Sequence, residues 1–446
     1  MSTKYDYDYL IIGSGPAGLT LATILGKAKK RVAITTGHSL GGASLNSRAL
    51  PYRINLDFSH AYYNTLNSPA IRGASLPFNF PTLVAHQTHL VTSIGATYQK
   101  TLDTLGVTTI PGEANFLDAH TIAVGERRLT SNFFIIAPEP RLRTSEISGL
   151  THVNYLTPDT AMRIRRLPKF ALIVGAGPTG VSIANFYAEL GVKTLIMERG
   201  SRLLPQEDKE TSACLTAYFE KELGINVQTG AKLVAIDEDQ TSGIAIFTKA
   251  GQEKMVRVDC IVLATGNIPN LDLGLENAGV KYKRSGILTD KNFTTTARNI
   301  FAFSSTMNTE YDATLLASFL LHNSRSASRA STPLRTIPTN PEIAVVGMNE
   351  HDLATHDLRA KRSTVYLNAL PTSNPLDNEY GFVKLLADSS GHLLGATIVA
   401  QNASAYAGSL ALAITHHLSL VDLLTTPALP GTPAAAIALA ARGLIR

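Results

Sequence analysis

Cysteine is almost missing from this 446-residue chain, which has only Cys214 and Cys260, far apart in sequence. That scarcity excludes a disulfide framework and any multi-cysteine metal centre, and it fits a reducing cytoplasm. No G-x-S-x-G elbow and no His/Cys cluster at ligand spacing occurs, so hydrolase and metal-site readings have no support. No uninterrupted apolar run reaches the ~18 residues that a membrane span needs. Residues 1–8 are polar and aromatic and lack the basic-then-apolar order of a signal peptide. Charge is sparse as well, 17% of residues with a net +5, too mild to point to a nucleic-acid or acidic-membrane partner. Low-complexity tracts are absent. Hydrophobic residues, by contrast, make up 44%, enough for a large core. At ~150 residues per domain the length allows about three domains. The expectation is a soluble cytoplasmic protein.

Tyr9 to Ile12 reads as a short strand, followed by a glycine turn, a helix from Pro16 to Lys27 and a second strand from Arg31 to Thr35. This order opens a parallel α/β unit. It recurs as strand Phe170 to Val174, a turn, a helix to Leu190 and strand Lys193 to Met197. Between the two lie a helical stretch from Thr82 to Leu105 and a β-rich stretch from Val107 to Ile136. Arg163 to Lys169 is basic, contains Pro168 and reads as a solvated linker. Asp259 to Ala264 is a buried-strand pattern, Gly266 to Asn270 a turn, and Asn299 to Phe303 a strand. His322 to Asn340, rich in Ser, Thr, Arg and Pro, reads as a second linker. Beyond it, strands Thr364 to Leu370, Val383 to Leu386 and Leu393 to Val399 stand with helices Asn402 to His416 and Pro433 to Arg442. That is an α+β domain.

The one internal repeat is a pair of G-x-G-x-x-G motifs, Gly13-Ser14-Gly15-Pro16-Ala17-Gly18 and Gly175-Ala176-Gly177-Pro178-Thr179-Gly180. In such a motif the first glycine makes the tight turn and the second lets backbone approach a pyrophosphate. The third lets helix pack on strand, and the helix N-terminus faces the phosphates. One match alone is weak; two in strand–turn–helix context are strong. An acid ending the second strand would bind the adenosine ribose. In the second unit this is Glu198, and the same interval from Gly13 lands on Thr36. A carboxylate at 198 favours NAD(H) over NADP(H), tempered by the neighbouring Arg199 and Arg202.

With these motifs in place the chain resembles the pyridine nucleotide–disulfide oxidoreductases of the dihydrolipoyl dehydrogenase, glutathione reductase and mercuric reductase type, over nearly its whole length. Gly112 to Asp118 with His120-Thr121 is similar to the family's G-x-A-x-F-x-D-x-H-T segment, where Ala114 runs alongside the flavin adenine. Ala264-Thr265-Gly266-Asn267-Ile268-Pro269-Asn270 with Leu273 to Glu276 resembles its A-T-G-R-x-P-N…L-G-L-E segment. Pro341 to Gly347 is similar to the opening of its dimerisation domain. The resemblance implies an α/β fold of two Rossmann-like dinucleotide-binding domains, the second inserted into the first, plus a C-terminal α+β dimerisation domain. Expected boundaries are 1–150 with 267–330 for FAD, 151–266 for NAD and 336–446 for dimerisation, and a homodimer is expected.

The departures are as informative. The family's redox segment, G-G-T-C-L-N-x-G-C-I-P-S-K, is here Gly41-Gly42-Ala43-Ser44-Leu45-Asn46-Ser47-Arg48-Ala49-Leu50-Pro51-Tyr52-Arg53. Both redox cysteines are replaced, by Ser44 and Ala49. The C-terminal histidine and glutamate of H-P-T-L-S-E are replaced by Pro430 and Ala435. A lysine–glutamate pair beside flavin N5 becomes Arg53 and Ser182. The flavin-side A-T-G reads Ala137-Pro138-Glu139, and the G-D that holds the ribityl chain reads Ser304-Ser305. Trading a charged hydrogen bond for a hydroxyl, at Thr36 and Ser305, loses ~1–2 kcal/mol each.

The resemblance therefore places FAD on Gly13 to Gly18, Thr36, Gly41, Gly42, Ala43, Arg53, Ala114 and Ser305. It places NAD on Gly175 to Gly180, Glu198, Arg199 and Gly266, with no metal. The implied activity is electron transfer from NADH through flavin directly to a small acceptor, without a dithiol. A catalytically degenerate pseudoenzyme, surviving as a dimeric nucleotide-binding or regulatory protein, is the alternative.

Overall fold

The structure is a computed structural model that describes residues 4–445 apart from 69–70, 72–75, 144–146, 151–152, 239–242, 304–309, 323–331 and 372–378. The chain divides into two compact units, the first built from Met1–Ile54, Pro81–Arg143 and Gly266–Ala330, and the second from Asn55–Phe80, Thr144–Thr265 and Ser331–Arg446.

In the first unit five strands run parallel in the order Thr108–Ile110, Val32–Thr35, Tyr7–Ile12, Arg127–Ile136 and Ile300–Ala302. Side chains alternate across a strand, and the buried residues 9–12 of Tyr7–Ile12 are apolar on both sides, so its faces enter two different cores. Tyr9 and Ile11 pack with helices Pro16–Lys27 and Glu310–His322, whereas Leu10 and Ile12 pack with Phe116, Phe134 and Leu275. A parallel strand covered on both faces reads as an unbroken apolar run. The first half of Arg127–Ile136 turns antiparallel to Thr121–Val124, which pairs with Ala114–Asp118.

The second unit carries four parallel strands in the order Asn226–Thr229, Lys193–Glu198, Phe170–Val174 and Cys260–Leu263, with an antiparallel meander of Ala231–Glu238, Gly243–Lys249 and Gln252–Val258. Its C-terminal part is a five-stranded antiparallel sheet in the order Leu334–Ile337, Glu342–Gly347, Leu393–Ala400, Phe382–Ala387 and Lys361–Tyr366. Helices Ser404–Thr415 and Pro433–Leu444 bury Leu410 and Ala440 against this sheet. The whole is α/β with two dinucleotide-binding folds and an α+β C-terminal domain.

Three sequence expectations need correction. The linker expected over His322 to Asn340 contains an edge strand, Leu334–Ile337, whose ladder to Glu342–Gly347 outweighs its turn-forming neighbours. The turn at Gly266 to Asn270 includes Asn267–Ile268, paired with Arg141–Leu142. Within Thr364 to Leu370 only Tyr366 and the residues before it are strand, and Leu367–Ala369 forms a 3₁₀ turn. Two helices left no clear trace in the sequence. Ala49–Leu66 buries Asn55 and Ser59 beside Leu56, and Lys209–Lys221 buries Thr211 and Ser212 beside Leu215. Polar residues on the inner face blur the apolar period that would announce a helix.

Candidate functional site

Each unit contains one glycine turn, and the two are built alike. Gly13 and Gly175 have φ of +108° and +102°. A Cβ on Gly13 would strike the carbonyl of Ala137, and one on Gly175 the carbonyl of Ala264. A Cβ on Gly18 or Gly180 would strike the carbonyl of Gly13 or Gly175, so these glycines let the helix seat on its strand. Gly15 and Gly177 differ from the rest: nothing lies within 4 Å of a Cβ placed there. That open space is what a ligand approaching the backbone requires. Both helices begin with proline at N1 or N2, with no acidic residue in the first turn and no side-chain cap.

In the first unit Gly13 donates its amide to Thr35 Oγ1 at 3.2 Å, and Ser14 donates its hydroxyl to the Ser39 carbonyl at 3.2 Å. Thr36, half-buried just beyond Val32–Thr35, donates its amide to Ile110 at 3.0 Å and offers a neutral hydroxyl where an acid would hold a ribose. Gly112 bonds back to the Gly37 carbonyl at 3.1 Å, and Ala114 opens the next strand, buried. Phe116 donates to the Leu273 carbonyl at 2.8 Å, so the two segments that resemble family motifs hold each other.

Gly41 and Gly42, at φ of +87° and +60°, lead into the short helix Gly42–Asn46. Asn46 ties this loop down through Nδ2 to the carbonyls of Leu40 and Gly42 at 2.9 and 2.7 Å, while Leu45 is buried. The residues that survive in the redox stretch are thus those that shape its backbone. Ser44 is half-buried in that helix, and Ala49 is exposed at the start of Ala49–Leu66. Arg53 is exposed on the same helix. Ser304 and Ser305 lie outside the described residues.

One contact here could not be read from sequence. The Ala43 amide donates to Glu139 Oε1. A Cβ on Gly42 would collide with that carboxylate, and the same point lies 3.4 Å from Gly15 Cα. Glu139 therefore stands at the open second glycine of the turn. The backbone of this site fits a dinucleotide, and the Glu139 carboxylate stands beside it on the Ala43 amide. The only sequence signal was an acid at 139 where the family pattern has glycine.

In the second unit Gly175 donates to the Met197 carbonyl at 2.8 Å. Glu198 accepts from the Ala176 amide at 2.9 Å and the Gly200 amide at 2.7 Å, which holds its carboxylate at the turn. With Gly177 open, this backbone fits a dinucleotide. Arg199 is exposed. Arg202 donates through Nη2 to the Pro205 carbonyl at 2.8 Å, and its Nη1 is buried with no hydrogen-bond partner among the described residues. Ser182 spends its hydroxyl on the Pro178 carbonyl at 2.9 Å, within its own helix. Gly266, expected beside NAD, is exposed at φ +93° and accepts from the Arg143 amide at 2.9 Å, which places it in the first unit.

At the C-terminus Pro430 is exposed, and Ala435 sits half-buried on helix Pro433–Leu444 with only a methyl group to offer. Neither can move a proton. His416 and His417 are exposed at the end of Ser404–Thr415. Burial pushes the thiols of Cys214 and Cys260 up to about 12, so both are protonated at neutral pH. Among the described residues no group of three His, Cys, Asp or Glu could hold a metal ion, and no helix is long and apolar enough to cross a membrane.

Paired glycine turns on parallel sheets, with an antiparallel C-terminal domain, define a two-dinucleotide oxidoreductase fold. Residues 7–315 match the family model for pyridine nucleotide–disulphide oxidoreductases, and residues 334–437 match that family's dimerisation domain. The chain belongs to this family, whose members are flavin-dependent oxidoreductases that use pyridine nucleotides. It is 28% identical to a mercuric reductase of Staphylococcus aureus, over 94% of this chain and 79% of that one. It is 25% identical to dihydrolipoyl dehydrogenase of Bacillus subtilis, over 94% and 92%. LpdA from Mycobacterium tuberculosis has the same fold, with a TM-score of 0.87 at 21% identity over 98% of this chain and 99% of that one. So has the HOCl-induced flavoprotein disulfide reductase RclA from Escherichia coli, with a TM-score of 0.85 at 21% identity over 98% and 99%.

Proposed function

We propose that the protein is an NAD(H)-dependent oxidoreductase that passes electrons to a small acceptor without a protein dithiol. The observation that carries this reading is an intact pair of glycine turns in a chain whose redox stretch has Ser44 and Ala49 in place of the cysteines. Residues 1–150 and 267–330 are assigned to FAD, 151–266 to NAD and 336–446 to a homodimer interface. Gly175 to Gly180 would receive the NADH pyrophosphate, and Glu198 the adenosine ribose hydroxyls; a 2′-phosphate there would meet like charge, which favours NADH. Gly13 to Gly18, Thr36, Gly41 to Ala43 and Ala114 would hold FAD. When bound, FAD supplies the two-electron carrier between nicotinamide and acceptor. The chain itself binds, orients and screens: no side chain in the redox stretch or at 430 to 435 can exchange a thiol or shuttle its proton. Arg53 would stand near the flavin. The scarcity of cysteine supports a cytoplasmic location.

The test is the absorbance spectrum of the purified protein, followed by anaerobic NADH titration and addition of a quinone or oxygen. A yellow protein that is bleached by NADH and reoxidised by acceptor supports the reading. The second reading, a dimeric nucleotide-binding pseudoenzyme, is favoured by the Glu139 carboxylate standing at the first turn. A colourless protein that binds NADH without turnover would select it.

A further inference from the structure

We infer that Glu139 is a built-in competitor for the first dinucleotide site, a carboxylate that takes the place of a ligand phosphate and sets how tightly that site binds FAD. This rests on reading the first glycine turn as a dinucleotide site.

The chain path delivers Glu139 there. Arg127–Ile136 runs parallel to Tyr7–Ile12 with Ile136 opposite Ile12, and Ala137 continues the ladder by donating to the Ile12 carbonyl at 2.8 Å. The two strands therefore end together, and the loops that leave them meet at the same carboxyl edge of the sheet. Ligands of open parallel sheets bind at that edge. From one strand comes the glycine turn, from the other Ala137-Pro138-Glu139. Packing is close enough that the Ala137 carbonyl requires glycine at 13.

The carboxylate then does what a phosphate oxygen does at such a turn. It accepts a main-chain N–H, that of Ala43, next to two residues in left-handed backbone, Gly41 and Gly42. Glycine at 42 is what makes room, because a Cβ would run into the carboxylate. The seat adjoins Gly15, since the point where a Gly42 Cβ would meet the carboxylate lies 3.4 Å from Gly15 Cα, while the space at Gly15 itself stays open to a ligand. Glu139 is exposed, so the core does not need it there. A dianionic diphosphate approaching Gly15 meets both an occupied amide and a like charge; occupancy and repulsion act in the same direction. The second turn has no counterpart, since Ala264-Thr265-Gly266 stands where Ala137-Pro138-Glu139 does, with glycine in place of the acid.

Two substitutions separate the effects. Glu139→Gln keeps the size and removes the charge; Glu139→Gly removes the side chain. The full-length apoprotein is titrated with FAD, monitored by flavin fluorescence, and with NADH as an internal control. The expected result is FAD binding at least about tenfold tighter in Glu139→Gly, with Glu139→Gln between it and the unmodified protein. NADH affinity and melting temperature should stay unchanged, which a merely structural role would not give. If the unmodified protein binds FAD as tightly as Glu139→Gly, the competitor is disproved while the flavoprotein reading stands. If no form binds FAD although all bind NADH, both fail together and the pseudoenzyme reading takes over.

Discussion

Glu198 closes the turn at the end of the neighbouring strand: its carboxylate accepts the amide of Ala176, 22 positions earlier in the chain, at 2.9 Å. The same carboxylate accepts the Gly200 amide at 2.7 Å, so two main-chain N–H groups orient the acid. A preoriented acceptor avoids the ordering entropy that a mobile side chain would lose on binding.

Replacing Glu198 by alanine should weaken NADH about tenfold, the loss of a charge-assisted hydrogen bond. NADPH should weaken less, narrowing the preference. Isothermal titration with both nucleotides measures this. Tighter NADPH than NADH in the unmodified protein would transfer the choice to Arg199 or to the buried Nη1 of Arg202.

Thiol chemistry should be absent. With both thiols pushed up to about 12 by burial, Cys214 and Cys260 should react slowly with a thiol reagent in the folded protein at neutral pH and quickly after unfolding. A Cys214→Ser, Cys260→Ser double variant should keep its NADH affinity and any acceptor reduction. Dihydrolipoamide and glutathione disulfide should not turn over. With FAD bound, anaerobic NADH should deliver two electrons per subunit; uptake of four, or robust lipoamide reduction, would reverse the proposal.

Lys384 is the ionic centre of the second unit. Its side chain is fully buried and meets Asp208 at 2.8 Å, Glu350 at 3.1 Å and Glu210 at 3.2 Å. Lys384→Met would leave three carboxylates without their shared cation, a loss of roughly 3–5 kcal/mol. Urea unfolding checks it. The pH dependence has two limbs. Burial works against the Glu210 carboxylate, but its backbone hydrogen bond and Lys384 outweigh burial and hold it below the ordinary 4.5. Its contribution is complete above that value and is lost as pH falls through the lowered one. Burial likewise opposes the Lys384 charge, yet hydrogen bonding to Asp208 holds it above 10.5, so its contribution is lost only as pH rises further. The unmodified protein should therefore show a stability plateau between these limits, and Lys384→Met should flatten it.

The protein should be a homodimer through its C-terminal domain. Helix Ser404–Thr415 buries Ala407, Leu410 and Ala413 in its own subunit, while Leu412 is 57% exposed on another side and Val421 is 55% exposed nearby in sequence. Glutamate at both positions should halve the mass seen by light scattering at micromolar concentration while the fold survives. A monomer before substitution would count against the assignment.

The sequence by itself determined the local geometry. Gly13 and Gly175 were legible because a left-handed turn under a passing carbonyl admits only glycine, and such steric limits act over a few residues. Glu198 was legible for the same reason, since its place is set by a fixed strand–turn–helix–strand length. Family resemblance then added the order of the domains and the positions at which the thiols are missing. Only the tertiary structure decided what distant residues do to one another. Glu139 reaches an amide 96 positions earlier because two parallel strands end at the same edge. Lys384 reads as an ordinary strand lysine, yet it is buried because Asp208 and Glu350 converge on it from other parts of the chain. Leu334–Ile337 looked like linker because a strand's ladder belongs to its partner, Glu342–Gly347, as much as to itself. Steric rules are local and can be read residue by residue; charge and pairing act through space, and space is set by the fold.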